Sequence, residues 1–107
     1  MSERNEKVAN NIKELSAQFL GRENNRTSLI TVSSASVSPD LKRATIFITV
    51  LPNSKETSAL GFVKRKRGDL REFLKEQMPI KVIPFLDIVI DQGEKNRQRI
   101  DELLREK

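Results

Sequence analysis

The chain of 107 residues contains no cysteine, histidine, tryptophan or tyrosine. Without cysteine, disulfides and thiol chemistry are excluded. Without histidine, the commonest general base and a frequent metal ligand are missing as well. Phenylalanine is the only aromatic residue type, with five copies, so the core must be built mainly from Ile, Leu and Val.

Long apolar runs are also missing, because no stretch approaches the about 18 consecutive apolar residues that mark a membrane span. The first residues are charged and lack the apolar centre of a signal peptide. We therefore expect a soluble, cytoplasmic protein that does not contact a membrane.

Sequence signatures of catalysis are absent too. The chain has no Ser-x-x-Lys pair, no Gly-x-Ser-x-Gly elbow and no phosphate-binding P-loop. Asp87 and Asp91 lie four residues apart and could hold Mg²⁺, although carboxylates at this spacing are more typical of solubilising residues. We expect no enzymatic activity, no small-molecule substrate, no metal and no cofactor.

Positive charge is what the chain has in excess. Its 20 Lys and Arg against 15 Asp and Glu give a net charge of +5, and the sequence pI is about 9.8. The excess is local: residues 62 to 82 hold seven basic and three acidic residues, which is a balance of +4. Such a basic patch favours a partner that carries phosphate.

Apolar spacing predicts an amphipathic helix over residues 3 to 20, ended by Gly21. Three later segments alternate as strands do: residues 29 to 37, a run that begins at Arg43, and residues 85 to 91. A turn at Ser38-Pro39-Asp40 joins the first two strands, because Pro presets the backbone angle of the second turn position. These two strands should therefore pair antiparallel.

Two short helices are predicted between the second and third strands, meeting at Gly68. Pro79 marks the end of the second of them, since the residue before a proline avoids helical geometry. Two residue pairs are spaced as capping boxes that would begin these helices: Asn53 with Glu56, and Asp69 with Glu72.

The elements predict an α+β domain with one three-stranded sheet and helices packed on one of its faces. Residues 1–92 form this domain, and residues 93–107 are a C-terminal helix or tail of the same domain, begun by a cap at Asp91. A narrow apolar stripe in the tail would contact the sheet or a partner protein: Ile100, Leu103 and Leu104.

Three groups of residues resemble the ribosome-binding factor A family. The first is the Ser38-Pro39-Asp40-Leu41 turn with Ala44 and the alternating strand after it. The second is the later run of Arg71, Phe73, Leu74, Met78, Ile83, Pro84 and Leu86. The third is Glu6-Lys7-Val8 with Ile12 and Leu15. Together they span residues 6 to 91. The resemblance implies a type II KH-like fold, with the order α-β-β-α-α-β.

The chain departs from that family where its two central helices meet. The family carries an Ala-x-Gly kink there, and this chain places Lys66-Arg67-Gly68 at the matching distance from Pro84. Ala59-Leu60-Gly61 has the right letters but lies seven residues too early. Asn24-Asn25-Arg26 stands where the family has Asp-Pro-Arg before its first strand.

A basic run at the junction is the predicted RNA-binding site. It consists of Lys64, Arg65, Lys66 and Arg67, followed by Gly68 and, one turn later, Arg71. A charge run is more often a solvated helix face, but the resemblance favours RNA. Four weaker candidates lie elsewhere: Arg26, Lys42, Arg43 and Lys81. Phe47 is expected to pack in the core rather than stack on a base, and stacking of the RRM type is not expected.

The resemblance implies an assembly factor that binds the immature 30S subunit and its 16S rRNA and assists late maturation, acting as a monomer. The alternatives are a non-catalytic adaptor that docks on protein, or a KH-like RNA-binding module that acts outside ribosome assembly.

Overall fold

The computed structural model describes residues 3–23 and 28–93. The elements follow in the order α1 (Glu3–Glu23), β1 (Leu29–Val37), β2 (Arg43–Leu51), a 3₁₀ turn (Asn53–Lys55), α2 (Glu56–Arg65), α3 (Arg67–Gln77) and β3 (Phe85–Ile90). The predicted α+β class and three-stranded sheet are confirmed. Within the described ranges, no helix is both long enough and apolar enough to cross a membrane. The predicted helix over residues 94–107 lies outside them.

The sheet is mixed, with strand order β1-β2-β3. β1 and β2 pair antiparallel as predicted, and β3 lies parallel to β2. The parallel pairing follows from the connection: α2 and α3 return the chain to the end of the sheet where β2 began. The first residues of β2 and β3, Arg43 and Phe85, are therefore neighbours.

A β-bulge between Val32 and Ser34 explains why β1 alternates less regularly than β2. Ser33 is the extra residue, and its one hydroxyl proton can be donated either to the carbonyl of Phe47 or to the Asp91 carboxylate. The bulge shifts the alternation by one position, so that Val32 and Val37 both face the core.

One face of the sheet carries the core. The alternate residues of β2 from Ala44 to Val50 are at most 2% exposed, and Leu86 and Ile88 of β3 continue this face. The helices cover this face: α1 contacts β1 and β2, α2 contacts β2 and β3, and α3 packs against α1 and α2. Phe47 points to the other face, where it is half-buried and outside the core. The prediction that Phe47 packs in the core was therefore wrong, because the alternation of β2 places its side chain on the face of the sheet opposite to that of Ile46 and Ile48.

The predicted helix ends were partly wrong. α1 continues through Gly21 to Glu23, because an exposed glycine costs only about 1 kcal/mol in a helix and the neighbouring Phe19 and Leu20 are buried. Neither α2 nor α3 begins at a predicted capping residue, because their N-cap positions are Lys55 and Lys66 rather than Asn53 and Asp69. α3 ends before Pro79 as predicted, with Met78 in an extended conformation.

Contacts between α1 and α3 fix the helix junction relative to the sheet. The rings of Phe19 and Phe73 pack with centroids 5.8 Å apart, and the Arg22 guanidinium lies 4.9 Å from the centroid of Phe73. Lys66 Nζ lies 3.9 Å from Glu23 Oε2, which ties the last residue of α1 to the junction.

Candidate nucleic-acid interface

The break between α2 and α3 falls at Lys66, two residues before the predicted junction at Gly68. Lys66 has φ −89° and ψ 4°, a conformation open to residues with side chains. Its N–H bonds back to the carbonyls of Phe62 and Val63, and its carbonyl accepts from Leu70 N–H. Gly68 is the second residue of α3, without positive φ. The backbone therefore turns without glycine.

The competing match to the family's kink, Ala59-Leu60-Gly61, lies inside α2, away from the junction.

The four-residue basic run does not act as one cluster. Lys64 and Arg65 are exposed at the end of α2. Lys66 turns back towards Glu23, and its Nζ lies 5.9 Å from the centroid of the Phe62 ring. Arg67 is the member of the run that points towards β3. The side chains of the run therefore extend in three directions: Lys64 and Arg65 into solvent, Lys66 towards α1 and Arg67 towards β3.

A groove of about 460 Å³ lies between the start of α3 and the start of β3. Its lining combines two arginines, a glycine and three apolar residues: Arg67, Gly68, Arg71, Ile83, Phe85 and Leu86. Gly68 is exposed, and a Cβ built on it would meet nothing within 4 Å. Arg71 is held in place at the groove wall, because its Nη1 donates to the carbonyl of Pro84 at 3.2 Å.

Phe85 lies at the centre of the positive charge in this groove. This residue is 48% exposed, and two guanidinium carbons approach its ring: Arg67 Cζ at 5.2 Å and Arg43 Cζ at 5.7 Å from the centroid. The Phe85 N–H donates to the carbonyl of Lys42, which fixes the start of β3 beside β2. Arg67 Nε is buried and has no hydrogen-bond partner among the described residues.

The fold thus brings Arg43, Arg67, Gly68 and Arg71 together and adds Phe85, which the sequence interpretation did not single out. The alternation of the third predicted strand indicates that Phe85 is exposed. Because Leu86 and Ile88 face the core, the alternation of β3 turns Phe85 outward at the strand's first position. The proximity of residues 43, 67 and 85 follows only from the parallel pairing.

Lys42 and Lys81 lie at a second groove of about 660 Å³, between the start of α1, the β1–β2 turn and the segment before β3. Its floor is aliphatic, and Val82 on its rim is 74% exposed. The remaining lining residues are Val8, Asp40, Leu41, Pro79, Ile80, Ile83 and Pro84. Arg26, the last predicted contact, lies outside the described residues.

The β1–β2 turn that borders the second groove forms as predicted, with Pro39 in its second position and Leu41 N–H donating to the Ser38 carbonyl at 2.9 Å. Ser38 Oγ donates to Asp40 Oδ1 at 2.6 Å, and Lys42 N–H donates to the same oxygen at 3.1 Å. These two hydrogen bonds, the first above all, lower the pKa of Asp40 from its ordinary value of 3.8. Leu41 adopts φ 61°, a conformation rarely taken by residues with side chains.

The Asp91 carboxylate accepts a hydrogen bond from the Ser33 hydroxyl. Among residues 3–23 and 28–93, no three acidic side chains come together as metal ligands would.

Comparison with known sequences finds similar proteins of one family. A family profile described as Ribosome-binding factor A matches residues 4–104. The chain is 32% identical over 106 residues to the ribosome-binding factor A of Coxiella burnetii (strain Dugway 5J108-111), with 97% of this chain and 89% of the relative covered. It is 33% identical over 116 residues to that of Geobacter sulfurreducens, with 99% and 92% covered.

Solved structures of low sequence identity share the fold. The crystal structure of ribosome-binding factor A from Thermus thermophilus matches with a TM-score of 0.72 and 17% identity, covering 80% of this chain and 94% of that one. A homology model of the Thermus thermophilus factor, fitted into a cryo-EM map of its complex with the 30S subunit, matches with a TM-score of 0.65 and 18% identity. It covers 87% of this chain and 97% of that one.

Proposed function

Because the chain belongs to the ribosome-binding factor A family, we propose that it is an RNA-binding assembly factor for the small ribosomal subunit. It binds the immature 30S subunit through 16S rRNA and assists late maturation and processing of the precursor. The observation that carries the proposal is the convergence of Arg43, Arg67 and Arg71 around one exposed groove.

Arginine suits this role because its guanidinium stays charged and its N–H groups match phosphate oxygens in pairs. None of the three arginines forms an ion pair within the part of the chain that the structure describes. The positive end of the α3 dipole also lies at the groove, since Arg67 and Gly68 of its first turn line it, although Asp69 in the same turn offsets part of this field. The three arginines therefore offer a polyanion positive charge that no ion pair neutralises.

The architecture supports a type II KH-like module, in which α3 and β3 frame the RNA-binding groove. Lys66-Arg67-Gly68 takes the place of the family's kink. Lys66 makes the turn, Arg67 supplies charge, and Gly68 leaves room for an RNA backbone to come close. Lys64 and Arg65, exposed beside the junction, extend the positive surface.

No chemical step is part of the proposal. The protein acts as a cytoplasmic monomer without a cofactor and stabilises one conformation of the rRNA by binding it. Phosphate contacts set the affinity, while the shape of the groove and its rim selects the RNA.

The test is a triple charge reversal with a matched control. One variant combines Arg43→Glu, Arg67→Glu and Arg71→Glu. The control reverses three exposed lysines outside the groove: Lys13, Lys55 and Lys75. Each reversal changes the charge by −2, so both variants go from +5 to −1. We expect the groove variant to lose sedimentation with immature 30S particles and the control to keep most of it.

Salt dependence sharpens the test. If the three arginines neutralise three phosphates of a single strand, the slope of log affinity against log salt should be less negative by about 2 in the groove variant. Circular dichroism serves as the folding control for both variants. Equal loss of binding in the two variants would assign the affinity to net charge, and unchanged binding of the groove variant would refute the proposed site.

The adaptor function remains a second candidate because of the second groove. Its aliphatic floor and the exposed Val82 suit an apolar side chain of a protein better than a nucleotide. Val82→Asp separates the two functions. We expect this variant to bind small-subunit RNA as the wild type does. A loss of particle binding, with naked RNA binding retained, would favour the adaptor.

A further inference from the structure

Phe85 differs from the other four phenylalanines of the chain by its exposure. Phe19 is buried and three others are half-buried, whereas Phe85 is 48% exposed on the wall of a groove. An exposed aromatic ring leaves apolar area in water, which costs free energy. Its position at the first residue of β3 comes from the strand alternation, so packing of the core does not require an aromatic side chain here.

The positive charges around the Phe85 ring have no negative partner among the described residues. Each guanidinium is attracted to the ring face, but the positive charges of Arg43 and Arg67, held near the same ring, repel each other. No carboxylate of the described residues forms an ion pair with either, and the buried Nε of Arg67 lacks a hydrogen-bond acceptor. An anion that contacts both guanidiniums would relieve this repulsion.

We propose that this groove holds one unpaired nucleotide of the bound RNA, with its base stacked on Phe85. The base takes the place of one of the two guanidiniums, and that guanidinium turns to the adjoining phosphate. The groove volume of about 460 Å³ falls within the roughly 300–1,000 Å³ usual for ligand pockets. The inference rests on the RNA function proposed above and names the form of RNA that the groove accepts.

A duplex does not fit this arrangement, because its bases are stacked on each other and their faces are closed. An isolated phosphate would engage the arginines but leave the ring exposed. The ring and the two guanidiniums together therefore select a nucleotide with a free base face, and every base has such a face, so little sequence preference is expected.

The absence of tryptophan from the chain allows a direct test. Phe85→Trp introduces one tryptophan at the site. Leu51→Trp is the matched control, because Leu51 is 49% exposed and lies at the opposite end of β2 from Arg43. The probes are single-stranded oligouridine, a fully paired RNA hairpin and inorganic phosphate. We expect oligouridine to quench the fluorescence of the Phe85→Trp variant strongly, and all three probes to leave the Leu51→Trp variant unchanged.

Affinity gives a second, independent readout. Phe85→Leu keeps an apolar side chain without a stacking face, and we expect it to bind oligouridine about tenfold more weakly while its affinity for the hairpin is unchanged. Phe85→Tyr should restore the binding of oligouridine.

The outcomes separate the two proposals. If oligouridine binds to the groove arginines but Phe85→Leu binds it as well as the wild type, or if phosphate alone quenches Phe85→Trp equally, the stacking site is refuted and RNA binding stands. If the wild type binds no RNA at low ionic strength, both proposals fail.

Discussion

The packed face of the sheet and the groove at the helix junction meet in the same strand, β3, yet they differ in how completely their groups are partnered. Leu86 and Ile88 are buried under the helices with almost no exposed surface. One residue earlier, Phe85 is half exposed beside two arginines that have no ion-pair partner in the described ranges. The first region stabilises the domain by itself, and the second gains its missing contacts only from another molecule.

The largest expected effect breaks the packed face without touching the groove. Ile46 is fully buried, and Ile46→Ala should destabilise the domain by about 2–5 kcal/mol because it removes apolar contacts and leaves a cavity. Thr45→Ala, on the opposite face of the same strand, should cost less than about 1 kcal/mol. Urea unfolding measures both.

The RNA affinity of folded Ile46→Ala should equal that of the wild type at a temperature where the variant remains folded. A weakened affinity under those conditions would show that packing of the core and RNA binding in the groove are energetically coupled.

A substitution at Gly68 should have an intermediate effect, with a gain in the stability of the domain and a loss in RNA affinity. Gly68 is helical and exposed, with open space where a Cβ would be. Gly68→Ala should therefore stabilise the domain by up to about 1 kcal/mol. The added methyl group should weaken RNA binding if a backbone approaches the groove closely there.

Thermal unfolding and an RNA titration of the same preparation measure these two effects of Gly68→Ala. Gly21→Ala in α1 is the control, because Gly21 is also exposed in a helix and lies outside the groove. It should stabilise similarly and leave RNA binding unchanged. A stabilised Gly68→Ala variant with full affinity would show that Gly68 has no role in binding.

The smallest effect belongs to the β1–β2 turn, which lies in neither region. The pKa of Asp40 is lowered in the folded state, chiefly by the Ser38 hydroxyl. A lowered folded pKa contributes stability above the unfolded value of 3.8, and this contribution is lost as the pH falls through the folded pKa. Asp40→Asn keeps the acceptor oxygen but cannot titrate.

The difference in urea midpoint between the wild type and Asp40→Asn should therefore be constant above about pH 5 and shrink below about pH 4. RNA affinity at neutral pH should be nearly equal. A midpoint difference independent of pH would mean that the turn does not hold the charged carboxylate preferentially.

Much of the fold could be predicted because burial on one face leaves a pattern within a single segment. The alternation of Ile46 and Ile48 located β2, and the bounds of β1 matched as well. Helix ends were harder, because tertiary contacts decided them. Packing of Phe19 and Leu20 carried α1 past Gly21.

The site could be predicted only in part, because it is assembled from distant residues. The charge count located the junction but not the directions of its side chains, so Lys66, which pairs with Glu23, was grouped with Arg67, which faces Phe85. Arg43 is a weak candidate in the sequence, because a single basic residue at a turn is more often a solubilising surface residue. Its place beside Phe85 follows from the parallel pairing, which no local pattern revealed. The sequence predicts that Phe85 belongs to a strand. Its place in the groove follows from the packing of that strand beside α3, which the sequence does not reveal.

The parallel placement of β3 has a kinetic consequence. The hairpin of β1 and β2 closes over a few residues, whereas β3 must return across both central helices before it can pair, and such distant contacts form slowly. We therefore expect the groove wall to be the last part of the domain to assemble and the first to open. RNA that binds there would hold β3 closed and slow hydrogen exchange in that strand more than in β1.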